Sequence, residues 1–166
     1  MEYQQFIKKL DVPPGVVVPE RLSYEDLRAR ALSRADLHED LRGINSSLEV
    51  IRRTRGGTWP EAEIIEEFNF VDLVWHEAEF RDGRSFAYAV YDTRDRYLGC
   101  CYFNPMGGRT RLTEELVKHG VDVSWWVTGP AYEAGYYTKL YRALAHWLAE
   151  ELPFKNPYYS NREIPA

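Results

Sequence analysis

The sequence has little cysteine: its two cysteines are the neighbours Cys100 and Cys101. They fall in a predicted strand, where adjacent side chains point to opposite faces, so they form neither a disulfide framework nor a metal-ligand set. No apolar run is long enough to cross a membrane, and the first residues lack the pattern of a signal peptide. We therefore expect a protein of the reducing cytoplasm, with no bound metal and no contact with a membrane.

An excess of positive charge is also missing. The formal net charge is −5, and basic residues alternate with acidic ones, as in residues 81–84 and 93–96. This distribution is unfavourable for nucleic acid binding, which needs a continuous basic face, but it leaves room for a small anionic ligand in a local pocket. What the chain does have is 45% hydrophobic residues with twelve tyrosines and five tryptophans, enough for the core of one domain of 166 residues.

The order of the chain predicts one domain preceded by a short arm. Residues 1–14 form the arm, closed by two prolines, with Phe6, Ile7 and Leu10 as side chains that can dock on the body. Residues 15–166 form the domain, without an internal repeat or a low-complexity linker. Residues 15–22 predict a first strand, placed at a sheet edge because Pro19 has no N–H to donate.

Capping-box patterns at residues 23–26 and 33–36 predict two helix starts in close succession. An apolar stripe with helical spacing follows the second one, at Leu37, Leu41, Ile44, Leu48 and Ile51. Arg52, Arg53 and Arg55 come next. We interpret them as a cationic helix end that interacts favourably with the helix dipole, in preference to a phosphate clamp.

A further helix is predicted to begin at Trp59-Pro60, with proline in its first turn, and to end at Asp82-Gly83. Its apolar residues repeat at spacings of four, three and four, at Ile64, Phe68, Val71 and Trp75. His76-Glu77 resembles the start of a zinc-protease motif. The second histidine is missing, because Phe80 stands where it would be, so we reject a metal site.

The second half of the chain predicts a hairpin, a strand and a long helix. The hairpin strands are residues 85–91 and 97–103, and residues 114–119 form a short helix. Residues 121–128 alternate as a strand that Gly129-Pro130 ends. A helix follows from about Gly135, with an apolar face at Leu140, Leu144, Trp147 and Leu148, and a short strand closes the chain at 154–159. The pattern implies an α/β or α+β sheet covered by helices.

The turn before the last helix has two interpretations. The free N–H groups at the start of that helix form a suitable site for an anion. The alternative is an ordinary strand-to-helix connection without a ligand.

Several short sequence stretches resemble one bacterial branch of the GNAT superfamily of acyl-CoA-dependent N-acyltransferases. They stand at residues 59–60, 73–80, 86–90, 98–105, 122–127 and 162–165, and the resemblance covers about residues 15–165. It implies a mixed, mostly antiparallel twisted sheet with helices on both faces. Compared with that fold the chain is truncated at the C-terminus, because the usual later helix does not follow the last strand.

The resemblance implies acetyl-CoA as co-substrate. In the family one strand splays from its neighbour, and its free backbone groups bind the pantetheine arm, while the next helix start binds the pyrophosphate. The usual closely spaced glycines of the phosphate loop are absent, and only Gly129 and Gly135 remain. By position the cofactor-binding residues would be Trp125, Trp126, Val127, Thr128, Gly135, Tyr136, Tyr137 and Thr138.

The reaction of this family is direct attack of an amine on the thioester, which needs a base for the amine and an acid for the leaving sulfur. Some family members place an acidic residue where Asp122 stands, which makes Asp122 the candidate base. The family's general-acid tyrosine is missing with the later helix, so Tyr141 and Tyr102, which could reach the centre of the sheet, are the candidate acids. A surface charge and packed tyrosines would look the same in sequence. One hypothesis is therefore an N-acetyltransferase acting on a small primary amine. The other is a catalytically degenerate GNAT-like module for ligand binding or protein interaction, for which an exposed Trp126 and a homodimer would be suitable.

Overall fold

The computed structural model describes residues 8–166. One sheet holds six strands, which lie side by side in chain order. All neighbouring pairs are antiparallel except the last, which is parallel. The strands are β1 Arg21–Tyr24, β2 Leu27–Ala31, β3 Phe86–Asp92, β4 Tyr97–Asn104, β5 Val121–Val127 and β6 Pro157–Tyr159. The described helices are α1 Leu37–Asn45, α2 Leu48–Arg55, α3 Glu66–Arg81, α4 Gly129–Glu133 and α5 Tyr136–Glu150.

Helices cover both faces of the sheet, so both faces of its central strands are apolar. Along β3, Tyr88 and Val90 pack toward α5, whereas Ala87 and Ala89 pack toward α1, α2 and α3. All seven residues of β5 are buried. The predicted class, a mixed and mostly antiparallel α/β sheet with helices on both faces, is confirmed.

Most elements of the second half of the chain are where the spacing predicted them. The predicted hairpin is β3 and β4, the strand predicted at residues 121–128 is β5, and the predicted long helix is α5. In the first half, the capping box at Ser33 is confirmed: the Ser33 N–H donates to Asp36 Oδ2 at 2.9 Å, in a 3₁₀ turn that leads into α1.

Two predictions for residues 15–26 are wrong. The first strand begins at Arg21, and Val17 is 86% exposed. The second prediction, a helix start at Ser23, is replaced by a hairpin, because β1 continues to Tyr24 and Glu25 turns the chain with φ of 49°. A serine followed by acidic residues favours a polar turn as well as a helix cap, so the local pattern did not separate the two.

The predicted start and apolar face of α3 are also wrong. The helix begins at Glu66, after an irregular segment that contains a cis Trp59-Pro60 bond. Phe68, Val71 and Trp75 are 70%, 64% and 59% exposed. The inward face instead carries Leu73 and Asn69, whose Nδ2 donates to the buried carboxylate of Asp40 at 2.9 Å. That polar contact turns α3 away from its most apolar face.

The predicted docking of the N-terminal arm can be followed at Leu10. This side chain is buried in the cluster on the α5 face, and its N–H donates to the carbonyl of Arg84 at 2.9 Å. Phe6 and Ile7 lie outside the described residues. Within residues 8–166, no helix has the length and apolar character needed to cross a bilayer.

Candidate functional site

Strands β5 and β6 part after a short parallel contact. Their pairing ends with Val123 opposite Tyr159, and the Ser160 N–H still reaches the carbonyl of Val123 at 2.9 Å. One step further, the side chain of Asn161 replaces a strand. Its Oδ1 accepts from the Trp125 N–H at 3.1 Å, and its Nδ2 donates to the Trp125 carbonyl at 2.9 Å. We call the space between Trp125–Val127 and the chain after Ser160 the fork.

The directions of the backbone N–H and C=O groups decide which residues of β5 face the fork. Because the N–H and C=O of Trp125 bond to Asn161, those of the next residue, Trp126, point the other way, toward its partner Cys100 in β4. Those of Val127 point to the fork again. The Trp126 side chain is fully buried, contrary to the exposed position predicted for it, and its Nε1 donates to Tyr102 Oη at 2.8 Å.

The start of α5 is open. Gly135 precedes it with φ of 89°, no side chain caps it, and its first turn has no acidic residue. A Cβ placed on Gly135 would meet nothing within 4 Å. The first N–H groups of a helix have no partner within the helix, so this end suits a pyrophosphate. The predicted cofactor residue Thr128 lies one short helix earlier, where its Oγ1 accepts from the Ala131 N–H at 3.3 Å and caps α4.

Of the first three residues of α5, the two tyrosines bind other parts of the chain. Tyr136 Oη donates to Asp26 Oδ2 at 2.6 Å. Tyr137 is buried, and its Oη donates to the carbonyl of Glu163 at 2.5 Å. Thr138 is half-buried. An anion at this helix end would therefore meet their backbone N–H groups and not their hydroxyls.

The two predicted catalytic residues lie on opposite sides of the sheet. Asp122 is fully buried; its Oδ1 accepts from Ser160 Oγ at 2.5 Å, and its Oδ2 has no partner within residues 8–166. Tyr141 is on α5, with its ring 5.4 Å from Trp125 and 5.0 Å from Tyr159. Trp125 points to the face opposite Asp122, because alternate residues of a strand do so. The fold does not bring Asp122 and Tyr141 together.

A cleft of about 450 Å³ lies on the Asp122 side of the sheet. Its walls include Arg55, Trp59, His76, Tyr102 and Arg109. A neighbouring recess of about 440 Å³ shares Arg55, Trp59 and Arg109 with it and extends to Ser160. We call the first space the cleft and the second the recess.

Arg55 connects the cleft to the fork. Its guanidinium lies 4.4 Å from the centre of the Tyr102 ring and 5.4 Å from that of Trp59, and its Nη2 donates to Ser124 Oγ at 3.2 Å. Ser124 precedes Trp125 in β5. The arginines at the end of α2 therefore do more than interact with the helix dipole. Arg52 donates to the carbonyl of Glu61, and Arg53 pairs with Glu163. Arg55 enters the cleft.

His76 is the other polar side chain of the cleft beside Tyr102. Its Nε2 is 3.4 Å from Asp72 Oδ2, its Nδ1 is 3.9 Å from Glu79 Oε1, and its ring is 5.7 Å from that of Tyr102. No local motif in the sequence predicts this site, because the residues around His76 suggest only an incomplete zinc-protease motif. Arg109, in the loop after β4, was also missed. No local spacing links these residues, so only the folded chain assembles them.

The comparisons with known proteins agree with this fold. Residues 26–161 match the family model described as the acetyltransferase (GNAT) domain. A sequence search of curated proteins finds no match. Among solved structures, the ribosomal L7/L12 α-N-protein acetyltransferase RimL in complex with coenzyme A has a TM-score of 0.53 at 15% identity, covering 80% of this chain and 67% of that one.

Two further solved structures share the fold at similarly low identity. The ribosomal-protein-S5-alanine acetyltransferase of Vibrio fischeri has a TM-score of 0.57 at 12% identity, over 77% of this chain and 66% of that one. A spermidine N-acetyltransferase chimera from Vibrio cholerae and hSSAT has a TM-score of 0.51 at 15% identity, over 76% of this chain and 65% of that one. These findings favour an acetyltransferase over a degenerate module. Because the GNAT family model matches most of the length of this chain, the chain belongs to the GNAT acetyltransferase family.

Proposed function

We propose that this protein is an acetyl-CoA-dependent N-acetyltransferase that acetylates a small primary amine by direct attack. The observation that supports this best is the fork, where Asn161 contacts Tyr137 in the first turn of α5. Bound acetyl-CoA supplies an acetyl thioester, the group that an amine attacks. Arg55 joins the fork to the cleft, because it contacts Ser124 in β5 and also forms part of the cleft wall.

The chain offers backbone groups for each part of this co-substrate. Val127 directs its N–H and C=O to the fork, where the amide groups of a pantetheine arm can bind in the manner of a strand. The N–H groups of Tyr136, Tyr137 and Thr138 can hold the pyrophosphate, assisted by the helix dipole. The acidic Glu133 is exposed and lies outside the first turn of α5, so it does not occupy this end.

Two side chains are candidates for taking the proton from the amine. His76 lies in the wall of the cleft, flanked by two carboxylates, and can contact an acceptor directly. Asp122 is fully buried, so a proton reaches it only through Ser160, whose hydroxyl donates to Asp122 Oδ1. Comparing His76→Gln with Asp122→Asn separates the two, since the variant of the true acceptor loses the larger part of kcat/KM while binding of acetyl-CoA is unchanged.

Tyr102 is our proposal for the proton donor to the leaving sulfur. Burial raises the pKa of Tyr102 well above its usual value, so the phenol keeps its proton at neutral pH. Its Oη accepts from Trp126 Nε1 and thus has its own hydrogen to donate. Tyr141, the other candidate, lies on the opposite face behind Trp125.

Thermal unfolding with and without acetyl-CoA tests the proposal. Ligand at a hundred times its dissociation constant should add about 2.7 kcal/mol of stability. Thr138→Pro removes one N–H in the first turn of α5, where proline is tolerated, and should weaken this effect. The control Thr138→Ala keeps the N–H and should keep the effect. Absence of stabilisation at millimolar acetyl-CoA, together with no release of free thiol in the presence of amines, would contradict the proposal.

A further inference from the structure

The cleft holds charges of both signs against one aromatic ring. The Tyr102 ring has the guanidinium of Arg55 at 4.4 Å and the imidazole of His76 at 5.7 Å. Arg55 belongs to a basic wall of the cleft, and His76, flanked by Asp72 and Glu79, belongs to an acidic wall of the same cleft. A small molecule in the cleft contacts both.

The basic wall contains Arg55, Arg109 and Lys8, whose Nζ donates to the carbonyl of Gly107 at 2.7 Å. The two arginines are the pair that matters here. Within residues 8–166 the polar contacts of both guanidiniums are to neutral groups. Arg109 Nη1 donates to Ser160 Oγ at 2.9 Å, its Nη2 donates to the Arg55 carbonyl at 3.4 Å, and Arg55 Nη2 donates to Ser124 Oγ. Arg55 Nε is buried and has no partner in this part of the chain. Two neighbouring cations with spare donors form a site for an anion.

Arg109 keeps its charge in this site. Burial, reinforced by the nearby charge of Arg55, lowers the pKa of Arg109 to about 10, which still leaves it a cation at neutral pH. The planar guanidinium presents two parallel N–H donors that match the two oxygens of a carboxylate. The buried carboxylate of Asp122 offsets part of the repulsion between the two cations, and a carboxylate bound here would offset more of it.

The acidic wall consists of Asp72 and Glu79 on either side of His76. Glu79 also accepts a short hydrogen bond from Ser85 Oγ, which fixes its carboxylate at the edge of the cleft. Two carboxylates with an imidazole between them suit an ammonium group, and the imidazole can take a proton from it.

We propose that the acceptor is an amino-carboxylate, a small molecule with a primary amine and a free carboxylate. Arg55 and Arg109 bind the carboxylate, and the amine faces His76. This inference rests on the proposed function, because it names the acceptor of that reaction. In the transfer, the amine nitrogen forms a bond to the acetyl carbon and the thioester C–S bond breaks. An acceptor that arrives as an ammonium first loses one proton to solvent. In the transfer His76 takes the second proton from the nitrogen and the sulfur gains one from Tyr102. Solvent then takes the proton from His76 and returns one to Tyr102, so no oxidant or reductant is needed.

The test compares acceptors that differ only in the carboxylate. Release of free thiol from acetyl-CoA is measured with glycine, β-alanine and 4-aminobutanoate, with the amide of each, and with spermidine. We expect kcat/KM to be about ten- to a hundred-fold higher for a free acid than for its amide, the range for hydrogen bonds to charged groups. Arg109→Gln should remove this preference, and Arg109→Lys should restore part of it.

Binding gives a second readout that does not depend on turnover. Without acetyl-CoA, the preferred acid should raise the melting temperature of the wild type while its amide does not, and Arg109→Gln should abolish the rise. Equal kcat/KM for acids and amides, or a preference for spermidine, would overturn the amino-carboxylate assignment while leaving the transferase intact. If no amine is acetylated and acetyl-CoA does not stabilise the protein, the proposed function fails and the assignment fails with it. The comparison of acid with amide in the wild type needs no variant, so it holds even if Arg109→Gln does not fold.

Discussion

Replacing Asn161 with aspartate changes one nitrogen to oxygen at the fork, and it should destabilise the protein more at high pH than at low pH. In the native chain Asn161 Nδ2 donates to the Trp125 carbonyl at 2.9 Å and to Tyr137 Oη at 2.8 Å. Oxygen cannot donate these bonds. The side chain is only 6% exposed, so a new negative charge would face the Trp125 carbonyl with little water to screen it.

The size of the effect follows from these contacts. A buried carbonyl left without a donor costs about 1–3 kcal/mol, and the loss at Tyr137 is smaller because its hydroxyl still donates to Glu163. Together with the buried charge, Asn161→Asp should cost about 2–4 kcal/mol at pH 8. Burial raises the pKa of the new carboxyl, so the folded state binds more protons than the unfolded state and the stability of the variant falls as pH rises. At pH 5 the protonated carboxyl donates one bond again, and the loss should be smaller.

The assay is urea unfolding at pH 5 and pH 8. Asn156→Asp is the matched control, because Asn156 Nδ2 also donates to a backbone carbonyl, that of Lys118 at 2.9 Å, but on the exposed surface. We expect this control to lose less than about 1 kcal/mol, with little change between the two pH values. If the two variants behave alike, Asn161 does not hold β5 at the fork and the reasoning is wrong.

Two further predictions concern the sheet and the buried carboxylate. A Cβ on Gly99 would lie 2.8 Å from Val127 Cα and closer still to the carbonyl oxygen of Trp126 in β5. Gly99→Ala should therefore cost about 1–3 kcal/mol in urea unfolding, whereas Gly129→Ala, which meets nothing within 4 Å, should be near neutral. Burial raises the pKa of Asp40 despite the bond from Tyr97 Oη, so its contribution to stability should fall as pH rises above 4. Asp40→Asn should remove that decline; an unfolding free-energy difference from the wild type that stays constant between pH 4 and 7 would contradict this.

The sequence predicted the elements whose side chains alternate or repeat without interruption. β5 and α5 have a clear period and buried faces on both sides of the turn, so local spacing and packing agree. The β3–β4 hairpin has the same property. The sequence failed where one pattern fits two structures, as at Ser23, whose polar neighbours suit a hairpin turn as well as a helix cap.

Packing choices that depend on a single polar contact were not predictable. The apolar stripe of α3 pointed to a buried face, but the hydrogen bond between Asn69 and Asp40 sets the rotation of the helix instead. Spacing along one helix does not reveal a partner 29 residues away.

The site was predicted in part. The strand and the helix start follow from the order of elements, whereas the parting of β5 from its neighbour was implied only by the resemblance to the family. The assignment of cofactor-binding residues at both places stays a prediction. The cleft was not predicted, because Arg55, His76, Tyr102 and Arg109 come from two helices, a strand and a loop. Their chemistry arises only when the sheet brings these segments together.

Tyr102 links the cleft to a buried fluorescent side chain, that of Trp126. Its ring forms a wall against which an acceptor would lie, and its hydroxyl holds the indole N–H of Trp126, a side chain with no exposed surface. A charged molecule entering the cleft changes the electric field along this bond without touching the indole. The emission of Trp126 should therefore shift when the cleft fills, so the chain contains its own fluorescent sensor for acceptor binding.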